Sequence, residues 1–363
     1  MSAPITPGLV HDYLLVMRGA ERTFAALAAC WPDAPIHTLL YDPVGTNGRF
    51  VGRDVRPSPL QRLHVGQRGF RRLLPLFPLA AQRLPVADHD VVISSSSAFA
   101  HGVRPAGGAL HVCYCHSPFR YAWHERATAL RESPRVLRPL LARTLDGIRR
   151  WDERASRRVT HYVANSQITR RRIAEFWDRD ATIVHPPVDT DRFAIGVPED
   201  FFLVVTELVS HKRVEVALRA AERAHVPVKV VGTGPELERL RTLHSRGVEF
   251  LGRISDEELA TLYGRSRALI VPNVEEFGIA AVESQAAGRP VVGIDEGGTR
   301  ETVVDGRTGV LVKAGDVDAL AEALRETHFD RFRPQDARAQ AERFCRQAFQ
   351  HRMIAEVARA CGD

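Results

Sequence analysis

The sequence predicts an α/β protein of two domains, each built on a parallel sheet. Three observations predict it. The chain has 363 residues, enough for two domains of ordinary size. From residue 201 onward, short apolar runs alternate with longer stretches whose apolar positions recur at helical spacing. That alternation is the pattern of βα units. Near the middle, His185-Pro186-Pro187-Val188-Asp189 halts regular structure, because a proline and the residue before it both resist the helical conformation. This segment is read as the interdomain linker.

The first half is the less regular one. Glu21–Trp31 is predicted as a helix and Ile36–Tyr41 as a strand. Residues 56–85 are rich in Pro and Arg and read as loops and short helices. Val91–Ser95, His111–Cys115 and Val159–Ala164 read as strands, the last feeding a helix over Gln167–Trp177, and Ala181–His185 as a further strand. In the second half the strands are Phe201–Val205, Val228–Gly232, Val248–Gly252, Ala268–Pro272, Val291–Asp295 and Val310–Val312. Between them lie helices at Val214–Ala224, Pro235–His244, Leu259–Ser266, Phe277–Ala287 and Val317–Thr327. Ser255-Asp256-Glu257-Glu258 forms a capping box ahead of one of them. Ala341–Ala360 is helical in spacing. Two such domains suggest a ligand in the cleft between them, beyond the carboxyl ends of the strands.

Composition narrows the class. Hydrophobic residues make up 44% and charged residues 26%, which excludes wholesale disorder. No apolar run is long enough to span a bilayer. The opening MSAPITPGLVHDY lacks a basic start and a long apolar stretch, so no secretory signal is expected. Five scattered cysteines make no disulfide framework, and a cytoplasmic location is expected. Charge is uneven. Residues 1–190 hold 26 Arg, no Lys and 16 acidic residues, whereas residues 191–363 hold 24 basic and 28 acidic ones. The basic half predicts an anionic surface or ligand. Its arginines lack the interleaved aromatics and modules of nucleic-acid binders, so no nucleic-acid partner is expected. A membrane-surface contact fits better, through Leu73-Leu74-Pro75-Leu76-Phe77-Pro78-Leu79 beside Arg68, Arg71 and Arg72. The other reading is a loop packed into the first domain's core.

The chemistry concentrates in residues 272–290, PNVEEFGIAAVESQAAGRP. Glu275 and Glu283 stand eight residues apart, on either side of a strand-to-helix turn. Gly278 lets the backbone approach a ligand closely. The helix start offers N–H groups and a positive dipole end suited to a diphosphate. Glu283 can accept hydrogen bonds from a sugar diol, and Glu275 can reach hydroxyls on the other side of the phosphates. Lys212 is one of three lysines in the chain. Other motifs are set aside. Val231-Gly232-Thr233-Gly234-Pro235-Glu236-Leu237 lacks the third glycine of a dinucleotide fingerprint. Asp88-His89-Asp90 and Asp189-Thr190-Asp191 match Asp-x-Asp without its context. Cys113, Cys115 and His116 lie along one strand, where neighbours point to opposite faces, so no metal is expected there.

Glu-x7-Glu enclosing Phe277-Gly278-Ile279, followed by AAGRPVV, resembles the signature of the retaining glycosyltransferases of family GT4. The resemblance continues in order through His11-Asp12-Tyr13, Gly19-Ala20-Glu21-Arg22, Ser94-Ser95-Ser96, the stretch CYCHSPFRYAW at 113–123, Ala164-Asn165-Ser166, the linker and Lys212-Arg213. The 113–123 stretch is most similar to a bacterial subgroup that includes O-antigen and exopolysaccharide mannosyltransferases. It implies the GT-B fold: a Rossmann-like acceptor-binding domain over 1–186 and a Rossmann-like donor-binding domain over 187–340, with a cleft between them. Residues 341–363 would form a helix crossing back to the first domain.

It also implies roles. Glu283 would bind the ribose, Glu275 the transferred sugar, and the N–H groups of Phe277, Gly278 and Ile279 sugar hydroxyls and phosphate. Lys212, with Arg213, would neutralise the diphosphate. Gly19 would let a loop close on the phosphates, His116 would touch the sugar near its anomeric carbon, and Arg253 and Ile254 would flank the base. Arg18 and Arg120 are the acceptor-side candidates. The reaction would be front-face substitution without a protein nucleophile, metal or other cofactor. The donor implied is GDP-mannose, or else a UDP-sugar; the acceptor is a polyprenyl-linked glycan, or else a small secondary metabolite. Two positions depart from the family. Glu207 stands where an Arg is expected before Lys212, and Arg18 where a Gly is expected before Gly19. Glu207 motivates a reading of another class, a nucleotide-sugar-binding or scaffold protein of weak activity.

Overall fold

The computed structural model describes residues 7–67 and 69–362. They form two compact units. One holds residues up to His185 and the segment from Gln350 on; the other holds Pro186–Phe349.

In the first unit the elements run β1 (Gly8–His11), α1 (Gly19–Ala28), β2 (Ile36–Thr38), β3 (Val55–Pro57), α2 (Phe77–Gln82), β4 (Val91–Ser96), β5 (Leu110–Cys115), α3 (Arg126–Glu132), α4 (Arg138–Ser156), β6 (His161–Ala164), α5 (Gln167–Trp177) and β7 (Thr182–Ile183). Among the described residues the strands make one parallel sheet in the order β3-β2-β1-β4-β5-β6-β7. The apolar faces of β1, β4 and β5 are fully buried, as central parallel strands covered on both sides must be. Four elements of this unit lie outside the sequence expectation: β1, β3, α3 and α4. β1 is four residues long and ends on polar His11. β3 carries a proline, which only an edge strand tolerates. The arginine-rich stretch from 138 is the long helix α4. It buries Leu145, Ile148, Trp151 and Ala155 at helical spacing and turns its arginines outward.

The second unit runs β8 (Phe202–Val205), α6 (Val214–Ala224), β9 (Val228–Val231), α7 (Leu237–Leu243), β10 (Val248–Gly252), α8 (Asp256–Arg265), β11 (Ala268–Val271), α9 (Ile279–Ala286), β12 (Val291–Ile294), α10 (Thr299–Thr302), β13 (Gly309–Val312), α11 (Val317–Glu326), α12 (Pro334–Glu342) and α13 (Arg346–Cys361). Its parallel sheet has the order β10-β9-β8-β11-β12-β13, the doubly wound Rossmann order. The capping box at α8 forms: the Ser255 hydroxyl accepts from the Glu258 N–H at 3.1 Å, and the Glu258 carboxylate from the Ser255 N–H at 2.8 Å. The last boundary between units falls within α13 and not at residue 340, because Ala341 and Phe344 join the second unit's core. From Gln350 onward α13 belongs to the first unit. Gln350 donates to the Ala26 carbonyl at 3.1 Å, and Glu356 accepts from Thr182 at 2.9 Å and pairs with His161 at 3.0 Å.

The three serines that end β4 each meet a histidine. Ser94 lies 2.8 Å from His111, Ser95 2.9 Å from His116 and Ser96 3.2 Å from His101. His101 in turn pairs with buried Asp152, whose other oxygen accepts from Trp123 and Trp177 at 2.7 Å each. Burial holds His11 down to about 3, His111 to about 3, His37 to about 4 and His116 to about 4. The unfolded chain therefore takes up protons near pH 6.5 that this unit refuses until about pH 4 or below, so its stability falls as pH drops through that window. All four tryptophans lie in this unit. Urea unfolding followed by tryptophan fluorescence is expected to show a lower midpoint at pH 5 than at pH 7.5. Equal midpoints would overturn the assignment of these histidines as neutral.

Candidate active site

The order of the second sheet decides where a ligand sits. β8 and β11 are neighbours, but the chain leaves them in opposite directions, toward β9 and toward β12. The loops after these two strands diverge and leave a crevice at the carboxyl edge. Lys212 ends the loop after β8 and Glu275 lies in the loop after β11, and the two meet there. The ammonium donates to both Glu275 oxygens at 2.8 Å, and Asn273 donates to one of them at 3.0 Å. Both partners of the ion pair are about one-fifth exposed, open enough to be reached.

Gly278 follows Glu275 with φ +86, a left-handed conformation that favours glycine, and serves as the N-cap of α9. The helix therefore starts at Ile279, two residues later than the sequence predicts, and Phe277 is a buried side chain against Phe344. The first hydrogen bonds inside the helix come from Ala281 and Val282 to the Gly278 carbonyl. The N–H groups of Ile279 and Ala280 thus point out of the helix start, where an anion is favoured. One turn on, half-buried Glu283 accepts from the Tyr263 hydroxyl at 2.9 Å. Tyr263 is fully buried and its hydroxyl is held well above its ordinary pKa, so it remains a donor. Lys212, Glu275, Gly278, Ile279 and Glu283 are thus gathered on one loop pair and one helix. Arg213 is exposed in a left-handed turn, its guanidinium near Gly315, and Glu207 is exposed in the loop between β8 and Lys212. Arg253 is exposed just after β10, and Ile254 packs on the core beneath it. A cavity of about 260 Å³ lies beside the same turn, lined by Ser210, Arg213, Val214, Glu215, Arg219 and Arg239 among others, but neither Lys212 nor Glu275 lines it.

In the first unit the same logic applies to β1 and β4, neighbours at that sheet's own switch point. Asp12, just after β1, is 3% exposed and accepts four consecutive backbone N–H groups after β4. Ser97 and Ala98 donate to one oxygen at 2.6 and 3.0 Å, Phe99 and Ala100 to the other at 2.7 and 2.6 Å. Arg18 caps α1, its N–H donating to Glu21 at 3.0 Å, and Gly19 opens that helix half-exposed. Burial pushes the Glu21 carboxyl up to about 7. His116 follows β5, half-buried, with Nε2 on Ser95. Arg120 pairs with Glu125 at 3.6 Å. Cys113 and Cys115 are fully buried, their thiols pushed up, Cys113 to about 12. Among the described residues no group of three or more His, Cys, Asp or Glu side chains is placed to hold a metal ion.

Known proteins match both units. Residues 17–192 match Glycosyltransferase Family 4, and residues 188–344 match Glycosyl transferases group 1. The chain belongs to this family of glycosyltransferases. A GDP-mannose-dependent alpha-(1-6)-phosphatidylinositol monomannoside mannosyltransferase of Mycolicibacterium smegmatis is 34% identical over 192 residues, 44% of this chain and 50% of that protein. An O-antigen chain mannosyltransferase C of Escherichia coli is 32% identical over 185 residues, 46% of this chain and 48% of that protein. A D-inositol 3-phosphate glycosyltransferase of Streptomyces avermitilis is 33% identical over 208 residues, 48% of this chain and 42% of that protein. The matched stretches span about half the length of these curated relatives. The fold is shared with sucrose-phosphate synthase of Thermosynechococcus elongatus, at TM-score 0.71 and 17% identity over 98% of this chain and 99% of that one. It is shared also with Anabaena HepE in complex with UDP and glucose, at TM-score 0.69 and 17% identity over 97% and 99%. The two Rossmann-like units are those of the GT-B fold.

Several residues that build this candidate site escape the sequence reading. Tyr263 and Asn273 aim the two glutamates from positions with no motif of their own. Gly298 accepts no side chain, because a Cβ there would stand 2.2 Å from the Phe277 carbonyl, and its N–H donates to the Glu275 carbonyl at 2.8 Å. The adjacent glycines at 297 and 298 after a strand were the available signal. Asp12 and Ser95 lie in motifs that carry the family resemblance, but the partners of Asp12 are 85 or more residues away in sequence, and those of Ser95 are 84 and 21 away.

Proposed function

We propose that this glycosyltransferase moves a hexose, with retention, from a nucleotide-diphosphate sugar to an acceptor hydroxyl. The first donor is GDP-mannose, and the acceptor is a growing glycan on a polyprenyl diphosphate carrier. The observation that carries this reading is the meeting of Lys212 and Glu275 at the switch point beside the start of α9. An ammonium and open N–H groups face the place of a departing diphosphate, and two carboxylates face the hydroxyls of sugar and ribose. In the transfer, the bond from the anomeric carbon to the phosphate oxygen breaks, and the bond to the acceptor oxygen forms on the same face. The acceptor proton passes to the leaving phosphate. Lys212 supplies the positive charge, and the reading needs no metal. Glu283 holds the ribose, and Arg253 and Ile254 line the base.

Mannose is favoured by the names of two relatives. The membrane-held acceptor is favoured by the basic first unit and by its exposed apolar side chains. Leu76 and Leu79 stand out beside Arg71 and Arg72, and Val136, Leu137 and Leu140 beside Arg135 and Arg143, while Leu73 and Leu74 pack on the core. Arg68 lies outside the described residues. No helix among the described residues is long and apolar enough to cross a membrane. The proposed contact is a peripheral one at the inner membrane face. In that role Arg18 and Arg120 meet the acceptor. A second reading, transfer to a small phosphorylated acceptor, is favoured by the names of the D-inositol 3-phosphate glycosyltransferases.

The test is a thermal-shift panel of GDP, UDP, ADP and dTDP with their common sugars. A nucleotide at 100 times its Kd stabilises by about 2.7 kcal/mol. GDP and GDP-mannose are expected to stand out, and Glu283→Ala to abolish their shift. A shift without sugar transfer would make the chain a binding protein, as Glu207 in the place of an Arg suggests. No shift, with or without magnesium, would overturn the reading.

A further inference from the structure

Ser95 stands between two histidines that the sequence places far apart. Its Oγ is 3.1 Å from His11 Nδ1 and 2.9 Å from His116 Nε2. His11 is fully buried, its ring stacked on Phe24 at 4.6 Å and 16°. His116 is half-buried, and with Nε2 on Ser95 its remaining ring nitrogen is Nδ1.

A serine hydroxyl carries one proton. If Ser95 donates to His116 Nε2, it must accept from His11 Nδ1–H, and the proton of His116 then sits on Nδ1. If Ser95 donates to His11 Nδ1, it must accept from His116 Nε2–H, and Nδ1 of His116 is then bare. If Ser95 accepted from both rings, its own proton would have neither of these acceptors at a buried site. With that proton used, the chain has two states. One makes His116 Nδ1 a donor to a ligand, the other an acceptor, and no mixed state satisfies all three groups.

We propose that His11, acting through Ser95, fixes the tautomer of His116 and so decides how His116 hydrogen-bonds a sugar hydroxyl. His11 and Ser95 are positioning residues; His116 is the group that meets substrate. The proposal rests on the transferase reading above. Both rings are neutral at pH 7, because burial holds His11 to about 3 and His116 to about 4. This argues against a proton shuttle. Passing a substrate proton down the chain would leave His11 an imidazolium in a site that resists that charge. The chain orients, and does not carry charge. Its frame is the clamp next door: Asp12 follows His11 directly, and its four N–H bonds hold the residues that follow Ser95 and Ser96.

The experiment uses the full chain labelled with 15N-histidine. Long-range 15N–1H spectra at pH 7.5 are expected to show His116 as one neutral tautomer. Ser95→Ala and His11→Phe, which keeps the ring stack on Phe24, are each expected to shift its ring nitrogens toward averaged values. Each is expected to lower kcat by about 10- to 100-fold, with the donor KM changed far less. The double variant should be no worse than either single one, because both break the same chain. An unchanged His116 tautomer in both variants, or losses that multiply, would overturn the proposal. If one variant fails to fold, the other and Ser95→Thr, which keeps the hydroxyl and should restore one tautomer, still decide it. A wild-type protein that transfers no sugar would refute the transferase reading and leave the spectra to judge the chain by itself.

Discussion

Lys212→Ala is expected to lower kcat for sugar transfer by about 100- to 1000-fold, the range for removing one preorganised group that stabilises developing negative charge. The thermal midpoint is expected to move little. The reason for the split lies in the geometry. Both partners of the Lys212–Glu275 pair keep about one-fifth of their side-chain surface, and a pair this open contributes about 1 kcal/mol at most to stability. Its geometry is nevertheless close, with two N–H bonds to one carboxylate and Asn273 fixing that carboxylate. An ammonium has three N–H bonds, so one remains for a ligand while Glu275 holds the other two. Without donor, Glu275 serves as the counter-ion. On the proposed reading, a bound diphosphate would compete for the same ammonium and release Glu275 toward the sugar. Lys212→Arg keeps the charge but replaces a compact ammonium with a planar fork, and is expected to retain only part of the activity. Steady-state kinetics with a melting curve on the same samples gives both numbers. A loss below about tenfold would make Lys212 a surface partner of Glu275 and remove the diphosphate role.

Much of the donor side is legible in the sequence, because its residues are local. Glu275, Gly278 and Glu283 fall within nine residues of one another, and the strand, turn and helix that present them show in the spacing of apolar positions. Lys212 is the first long-range member. It reads as special because lysine is rare in an arginine-rich chain, and it meets Glu275 because β8 and β11 are neighbours. That adjacency is a property of strand order, which no local pattern encodes. Tyr263 is illegible because its partner Glu283 lies 20 residues on, whereas Asn273 is only two residues from Glu275 and carries no signal of its own. Their hydrogen bonds matter, but a tyrosine on a helix and an asparagine after a strand are ordinary residues. In the first unit the fold itself is harder to read. β1 is too short and too polar at its end to stand out. The spacing of Leu145, Ile148, Trp151 and Ala155 in α4 is masked by the arginines between them. The helix at 277 was misjudged by two residues because Gly278 takes the left-handed cap, a choice the sequence permits but does not announce.

Asp12→Ala is expected to destabilise the first unit by about 4 kcal/mol or more, since each buried N–H left without a partner costs about 1 to 3 kcal/mol. Four such groups depend on this one carboxylate. Part of the loss is offset, because burial works against the charged form and pushes the Asp12 carboxyl above its ordinary value despite those four bonds. For a unit of this size the midpoint should fall by about 10 °C. Asp12→Asn, nominally the mild substitution, is expected to do little better. Each oxygen accepts two N–H groups, so turning either into an amide nitrogen sets two donors against a third. Asp12→Glu keeps both oxygens but lengthens the arm in a site with no room. Since all four tryptophans lie in this unit, a melt followed by tryptophan fluorescence reads the effect without interference from the other unit. A fall of less than about 3 °C for Asp12→Ala would mean that water replaces the carboxylate at all four amides. The clamp would then be a consequence of the fold and not one of its causes. A large fall with Asn and Ala alike would show that β1 and β4 are joined at their switch point by a carboxylate as well as by the sheet. The strand end that presents Ser95 to His116 would then owe its place to a carboxylate buried beside it.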